Sequence, residues 1–406
     1  MKFTRSEIMR LWPIAKRVAG AKIVRFVERI FSSEKIRRDV FGRKRDRKVL
    51  ICYLPEAFKS GKLPLYHSNL TECRTIGEVF DSLGYSVDCA SRGKQGIDYS
   101  RYDVVLGINC RSYWESFTAR EGVAPIRIFY SVGAHTFFNF RVTAERCREF
   151  FLNHGRWMLP SCHYVPGNGM NYYMSQLSDA VILLGDGYLL EQYKLQDGSA
   201  DNVNLLSAFY FPVSEPAAEK DFSRCRNNLL WFGSSGMVHK GLDIAIDFAV
   251  QNPSYNLHIC GGSRQEKAFW DYYTPIISAH RNIHYHGFVD IESQEFRNLL
   301  DECGILVNPS ISEGGAVSVL NVLGNGALLP VYSRGTGLDL SSVGVEVADT
   351  SYDSFCNALS AVAALPVEIV AGKAWEAHSL VKAKYSLENY RKGMQEYIKS
   401  ITENKK

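Results

Sequence analysis

The 406-residue sequence is short of several features that would declare its chemistry at once. No stretch approaches the roughly eighteen apolar residues that a membrane-spanning helix needs. Ten cysteines are present, yet none forms a C-x-x-C pair, so neither a zinc ribbon nor a thioredoxin-type redox motif is supported. Cys52, Cys260 and Cys303 lie in or beside apolar runs, where cysteine behaves as a small hydrophobe, and a reducing cytosol is the expected setting. The Walker pattern G-x-x-x-x-G-K-[ST] is missing. An excess of one charge is missing too: 47 basic residues face 43 acidic ones, which argues against a nucleic-acid binder with a basic surface. Apolar residues at 46% and charged residues at 22% exclude disorder and coiled coil as the main architecture.

The charge is unevenly placed. Residues 1–48 carry 16 Lys and Arg against 5 Asp and Glu, so the body beyond them is mildly acidic. Within that arm Ile14, Val18, Ala21, Val27 and Ile30 recur at helical spacing, with Lys16, Arg17, Lys22 and Arg29 between them. Pro13 suits the first turn of such a helix. A basic amphipathic helix of this type either lies in the headgroup zone of an anionic membrane or packs on its own protein with a solvated basic face. The first alternative predicts a cytoplasmic protein held peripherally at the inner face of the membrane.

From Val49 onward, short apolar runs alternate with helical patterns. Val49–Leu54, Tyr85–Cys89, Asp103–Ile108, Ile126–Val132, Ala180–Leu184 and Val203–Phe211 read as strands, with a helix over Asn69–Gly84. Residues 212–227, with Pro212 and Pro216, read as a linker, after which the alternation restarts at Leu229–Phe232. Strands that are apolar throughout and separated by helices indicate parallel sheets covered on both faces. The expected architecture is α/β, with two doubly wound Rossmann-like domains facing a cleft. The boundaries are an arm at 1–48, a first domain at 49–215, a second at 216–385, and a last helix at 386–406 that returns to the first domain.

Two segments carry chemistry. In Trp231–Gly241 a strand opens into a loop of small residues, Gly233, Ser234 and Ser235, and leads to Lys240 at the start of a helix. Backbone N–H groups in such a loop can meet a phosphate, and Lys240 can supply a full charge; an ordinary strand-to-helix turn is the alternative. In Asn308–Asn321, Glu313 follows a strand and precedes Gly314, Gly315, Ala316 and Val317 at a helix start. Glu313 can accept hydrogen bonds from sugar hydroxyls, or simply cap the helix.

The order of these two segments resembles the C-terminal half of the family 4 retaining nucleotide-sugar glycosyltransferases, whose two-domain fold is called GT-B. Gly233, Lys240 and Gly241 match the family's phosphate loop, with Ser234 where the family usually has Arg. Glu313 matches the first residue of its Glu-x7-Glu motif, and Asn321 stands in place of the second. The resemblance implies a donor site of Gly233, Ser234, Ser235, Lys240, Phe288, Val289, Glu313 to Val317 and Asn321, the Gly287-Phe288-Val289 loop lying beside the nucleobase. It implies catalytic roles for Lys240, Glu313 and His135, which follows an apolar strand. His67, Asn69 and Arg141 are the expected acceptor contacts. The implied activity moves a sugar, with retention, from a nucleoside-diphosphate donor to a glycan or lipid-linked acceptor in cell-surface polysaccharide assembly. No Asp-x-Asp occurs, so no metal-held diphosphate, essential metal or cofactor is expected. The departures at Ser234 and Asn321 equally fit a non-catalytic nucleotide-sugar-binding or scaffold protein on the same fold. A different nucleotide-sugar enzyme, such as an epimerase, is a further alternative.

Overall fold

The computed structural model describes residues 35–66, 68–118, 124–158 and 170–403. The expected membrane-facing helix of the arm, and His67, fall outside them. What is described of the arm joins the first domain. Ile36–Arg37 (β1) pairs antiparallel with Ser86–Ser91 (β3), and Arg43 and Arg45 pair with Asp81.

The first sheet contains β1, β3, Lys48–Tyr53 (β2), Val104–Gly107 (β4), Ile126–Ser131 (β5), Ala180–Leu184 (β6) and Val203–Leu206 (β7). Its order is β1-β3-β2-β4-β5-β6-β7, parallel apart from β1. The second sheet has the order β10-β9-β8-β11-β12-β13 and is parallel throughout. It is built from Asn228–Gly233 (β8), Asn256–Gly261 (β9), Ile283–Gly287 (β10), Ile305–Asn308 (β11), Leu329–Tyr332 (β12) and Val345–Glu346 (β13). Both are doubly wound sheets, so the fold class read from the sequence stands. The strand β6 is apolar along its length, and β2 and β11 are apolar apart from Lys48 at the start of one and Asn308 at the end of the other; all three are almost wholly buried, because helices cover both faces.

The strand order reverses beside β2 in the first sheet and between β8 and β11 in the second. Crevices open at such reversals, at the carboxyl ends of the strands. Here the two crevices face each other and merge into one cleft.

Three devices hold the halves together. One buried apolar cluster runs from Ile51 and Leu106 of the first sheet to Phe296, Val319 and Leu320 of the second domain. Beyond β7 the chain leaves the first sheet at Leu206, five residues earlier than the apolar run suggests, and residues 207–214 cross as extended linker. It crosses back at Tyr385, whose carbonyl accepts from Tyr210 N, and the last helix, Leu387–Glu403, packs on the first domain. There Tyr390 Oη lies 3.0 Å from Tyr130 Oη, and Arg391 pairs with Glu78 at 2.5 Å.

The third device is a buried ion pair. Thr136–His154 (α2) carries Arg146, whose guanidinium donates to Asp243 in the first turn of Leu242–Gln251 (α3). A charge on each domain is thereby removed from water and neutralised, with Glu149 adding a second partner at 3.1 Å. Breaking such a pair on one side leaves an uncompensated buried charge. Asp243→Ala is expected to cost about 3 kcal/mol in urea unfolding, while the double replacement Arg146→Leu with Asp243→Leu recovers most of that loss.

Candidate functional site

The cleft has a volume of about 810 Å³. Its second-domain wall is made by the loops after β8, β9, β10 and β11, with the start of the helix that follows β11. Gly241 takes φ +65°, and a β-carbon there would sit 2.4 Å from Pro309 Cγ, so the β8 loop needs glycine to pass the β11 loop. The two loops are stitched by Ile311 N donating to His239 O at 3.0 Å and by the His239 ring against Ser312 O. Lys240 Nζ then reaches Glu313 Oε1 at 2.5 Å, and Ser310 Oγ donates to the same oxygen at 3.0 Å. The Lys240 and Glu313 side chains are only 8% and 11% exposed. A pair so desolvated attracts strongly, and it is poised to exchange partners with a ligand that brings its own charge and hydroxyls.

Backbone groups complete this wall. Gly236 N and Met237 N both donate to the carboxylate of Glu266, the second at 3.0 Å. This loop therefore already holds an anion on its N–H groups, as a phosphate would be held. Ala316, at the start of the helix Val317–Asn325 (α4), has φ +27°, a left-handed conformation that L side chains rarely adopt and that costs about 1–3 kcal/mol. Such strain is kept where the surroundings impose it. Here Gly314 lies so close to Val132 O of the first domain that a β-carbon would come within 2.1 Å.

Most expected donor-site residues line the cleft: Gly233, Ser234, Ser235, Lys240, Phe288, Val289, Glu313, Gly314, Ala316, Val317 and Asn321. Gly315 does not; it turns away, with Ala208 and Leu184 where its side chain would be. Asn321 lines the cleft but is committed to the linker. Its Oδ1 accepts from Phe211 N at 2.9 Å, and its carbonyl accepts from Asn325. Asn325 in turn accepts from Val213 N and Ser214 N. Asn325 also donates, its Nδ2 reaching Phe211 O at 2.8 Å, so this side chain serves the linker with both a donor and an acceptor, which a carboxylate cannot supply.

Two other expected residues lie away from the cleft. His135 is not in the cleft. It is the N-cap of α2, its Nδ1 accepting from Phe137 N and its Nε2 lying 3.0 Å from Asp197 Oδ1. Burial lowers its pKa against the opposing pull of Asp197. The turn Gly133-Ala134 swings residue 135 back under the helix, and Val132 reaches the cleft instead. Arg141 is exposed on α2, paired with Glu145 at 3.2 Å, and Arg146 is spent on Asp243. Of the acceptor set, Asn69 lines the cleft.

The sequence reading passed over Glu72, Tyr66, Gly261, Gly262, Ser263 and Gln265, all lining residues. Glu72 had a visible signal. It precedes Ile76, Val79 and Phe80 at helical spacing, a carboxyl on an apolar stripe. It is 2% exposed, and Tyr53 and Tyr130 donate to its Oε2 at 3.1 and 3.3 Å. Burial raises its pKa against the opposing hydrogen bonds and Arg92. A carboxyl raised in the fold binds its proton more tightly there than in the unfolded chain, so its contribution to stability declines as pH rises above the ordinary carboxylate range. Glu72→Gln is therefore expected to gain thermal stability relative to the parent at pH 8, and to lose that advantage near pH 4.

No protein-family model matches the sequence, and no curated protein is similar to it. Solved structures do resemble it. HepE from Anabaena in complex with UDP-glucose superposes with a TM-score of 0.57 at 12% identity, over 87% of this chain and 99% of that one. A glycosyltransferase from Rickettsia africae gives 0.57 at 11% identity, over 88% and 99%. TarM from S. aureus gives 0.50 at 14% identity over 75% of this chain, which spans about 55% of TarM's length. At such identities the likeness concerns architecture, and the chain has the GT-B fold of these glycosyltransferases.

Proposed function

We propose that the chain is a glycosyltransferase that takes a sugar from a nucleoside-diphosphate donor and passes it to a glycan or lipid-linked acceptor. The observation that carries this reading is the sealed Lys240–Glu313 pair at the strand-order reversal of the second sheet, facing the first domain across the cleft. The fold-mates add support, since HepE has been crystallised with UDP and with UDP-glucose. A uridine diphosphate sugar is the donor class to try first.

The chemistry runs through this chain's own groups. As the bond between the anomeric carbon and the diphosphate oxygen breaks, negative charge collects on the diphosphate. Lys240 turns from Glu313 to meet that charge, and the N–H groups of the β8 and β11 loops add to it. Glu313, released, accepts from hydroxyls of the transferred sugar. The acceptor oxygen forms the new bond on the face the diphosphate leaves, and its proton passes to the departing phosphate, which gives retention. The exposed ring of Phe288 at the mouth suits stacking on a base.

A second reading, donor binding without turnover, is favoured by the engagement of Asn321 with the linker and by Ser234 in the phosphate loop. One assay separates the two. Purified protein is incubated with UDP-sugars and a panel of glycan acceptors, and released UDP and product are measured. Turnover is expected, and Lys240→Ala and Glu313→Gln are each expected to lower it by about 10²–10³-fold. Full activity in both variants would overturn the site; stabilisation by UDP with no product from any acceptor would favour the binding reading.

The basic arm gives the proposal its place. We take residues 1–34 as a peripheral contact with an anionic membrane surface, where a lipid-linked acceptor would lie. Removing those residues is expected to abolish cosedimentation with phosphatidylserine or phosphatidylglycerol vesicles while leaving the melting temperature unchanged. Undiminished binding would remove the arm from this role.

A further inference from the structure

The first-domain wall of the cleft has a polar floor that the transfer reading leaves unused. Glu72 sits in the second turn of the helix Ser68–Ser82, nearly sealed by its neighbours and yet bordering the cavity. A carboxyl in such a place carries a desolvation penalty that plain packing does not require, since the rest of its helical stripe is apolar. The penalty is met by a built support. Tyr53 of β2 and Tyr130 of β5 both donate to Oε2, and Tyr390 of the last helix meets Tyr130 from behind. Three elements besides its own helix thus fix one carboxylate oxygen. The other oxygen, Oε1, receives neither tyrosine.

We infer that Glu72 is the anchor of an acceptor subsite that takes the hydroxyl groups of an uncharged sugar ring. The inference rests on the glycosyl-transfer reading of the cleft. The donor machinery of Lys240 and Glu313 lies on the second-domain wall, so a ligand on the Glu72 side is the partner of the donor. The groups beside Glu72 match a sugar. Ser68 and Asn69 supply a hydroxyl and a carboxamide one turn earlier on the same helix, and Tyr66 lines the same cleft with an exposed ring set edge-to-face on Phe288 at 6.0 Å. Carboxylate and amide oxygens accept from vicinal hydroxyls, and a flat aromatic face suits the C–H face of a pyranose. An anion is disfavoured there, because Glu72 would repel a phosphate or a uronate. The charged group within reach that would offset this is Arg92, which acts on Glu72 from the loop after β3; the other groups facing it are Tyr53, Tyr130 and the Ser68 side chain, which hydrogen-bonds the carboxyl. The subsite therefore selects a neutral glycan end over a phosphorylated headgroup.

Saturation-transfer NMR on the full chain tests this. The protein is saturated with UDP, and methyl glucoside, galactoside, mannoside and N-acetylglucosaminide are offered, with glycerol 1-phosphate as the anionic comparison. The expected result is UDP-dependent transfer to at least one glycoside and none to glycerol 1-phosphate. Glu72→Gln and Glu72→Leu are expected to weaken the glycoside by about tenfold or more, while UDP raises their melting temperature as it does the parent's. Glu72→Gln, folded and at least as stable as the parent at pH 8, excludes collapse as the cause. Three results would overturn the inference while UDP still binds: unchanged glycoside affinity in both variants, equal transfer to glycerol 1-phosphate, or no transfer to any glycoside. A parent protein that UDP does not stabilise would instead sink the donor reading, and the subsite with it.

Discussion

A lysine and a glutamate almost sealed from water, 2.5 Å apart, are what the architecture is arranged around. Neither belongs to the strands. Lys240 is delivered by the loop after β8 and Glu313 by the loop after β11, and these are the strands between which the order of the second sheet reverses. The loops can meet because Gly241 lets one backbone pass the other and because His239 bonds across both. The left-handed Ala316 and the backbone contact of Gly314 with Val132 show the first domain pressing on the same loop. The pair thus reports the closure of the whole molecule, not of one domain.

The link between the cleft and the domain connection is carried by α4. Asn321 and Asn325, one turn apart, bind the linker at Phe211, Val213 and Ser214. Asn321 borders the cleft at the same time. A ligand that reached its amide would compete with the linker for the same side chain. Position 321 thus serves the backbone of the linker as an acceptor, and position 325 serves it as both acceptor and donor.

The sheets were legible because buried parallel strands are apolar on both faces, and Ala180–Leu184 has the bounds its apolar run suggests. The loops after β8 and β11 were legible through the resemblance of their order to a known donor site, whereas the loop after β9 carries no such signal. Orientation was not legible. His135 follows its strand as expected, but two residues of turn decide whether a side chain at that point faces the cleft or caps the helix behind it. The helix α2 escaped notice because its inward face is partly ionic, with Arg146 where an apolar residue would have marked the stripe. The two-residue strand β1 was too short to show a period, and its pairing with β3 draws the end of the basic arm into the first sheet. Glu72 was visible as an anomaly on an apolar stripe, and only the cavity beside it gives the anomaly a meaning.

The account turns on Lys240 changing partners, from Glu313 to a diphosphate. A crystal structure of the full chain with UDP bound tests that most directly. The predicted result is a diphosphate against Lys240 Nζ and the backbone N–H groups of the β8 and β11 loops, with Glu313 freed toward the sugar position. A nucleotide bound elsewhere, with the Lys240–Glu313 pair intact, would contradict it.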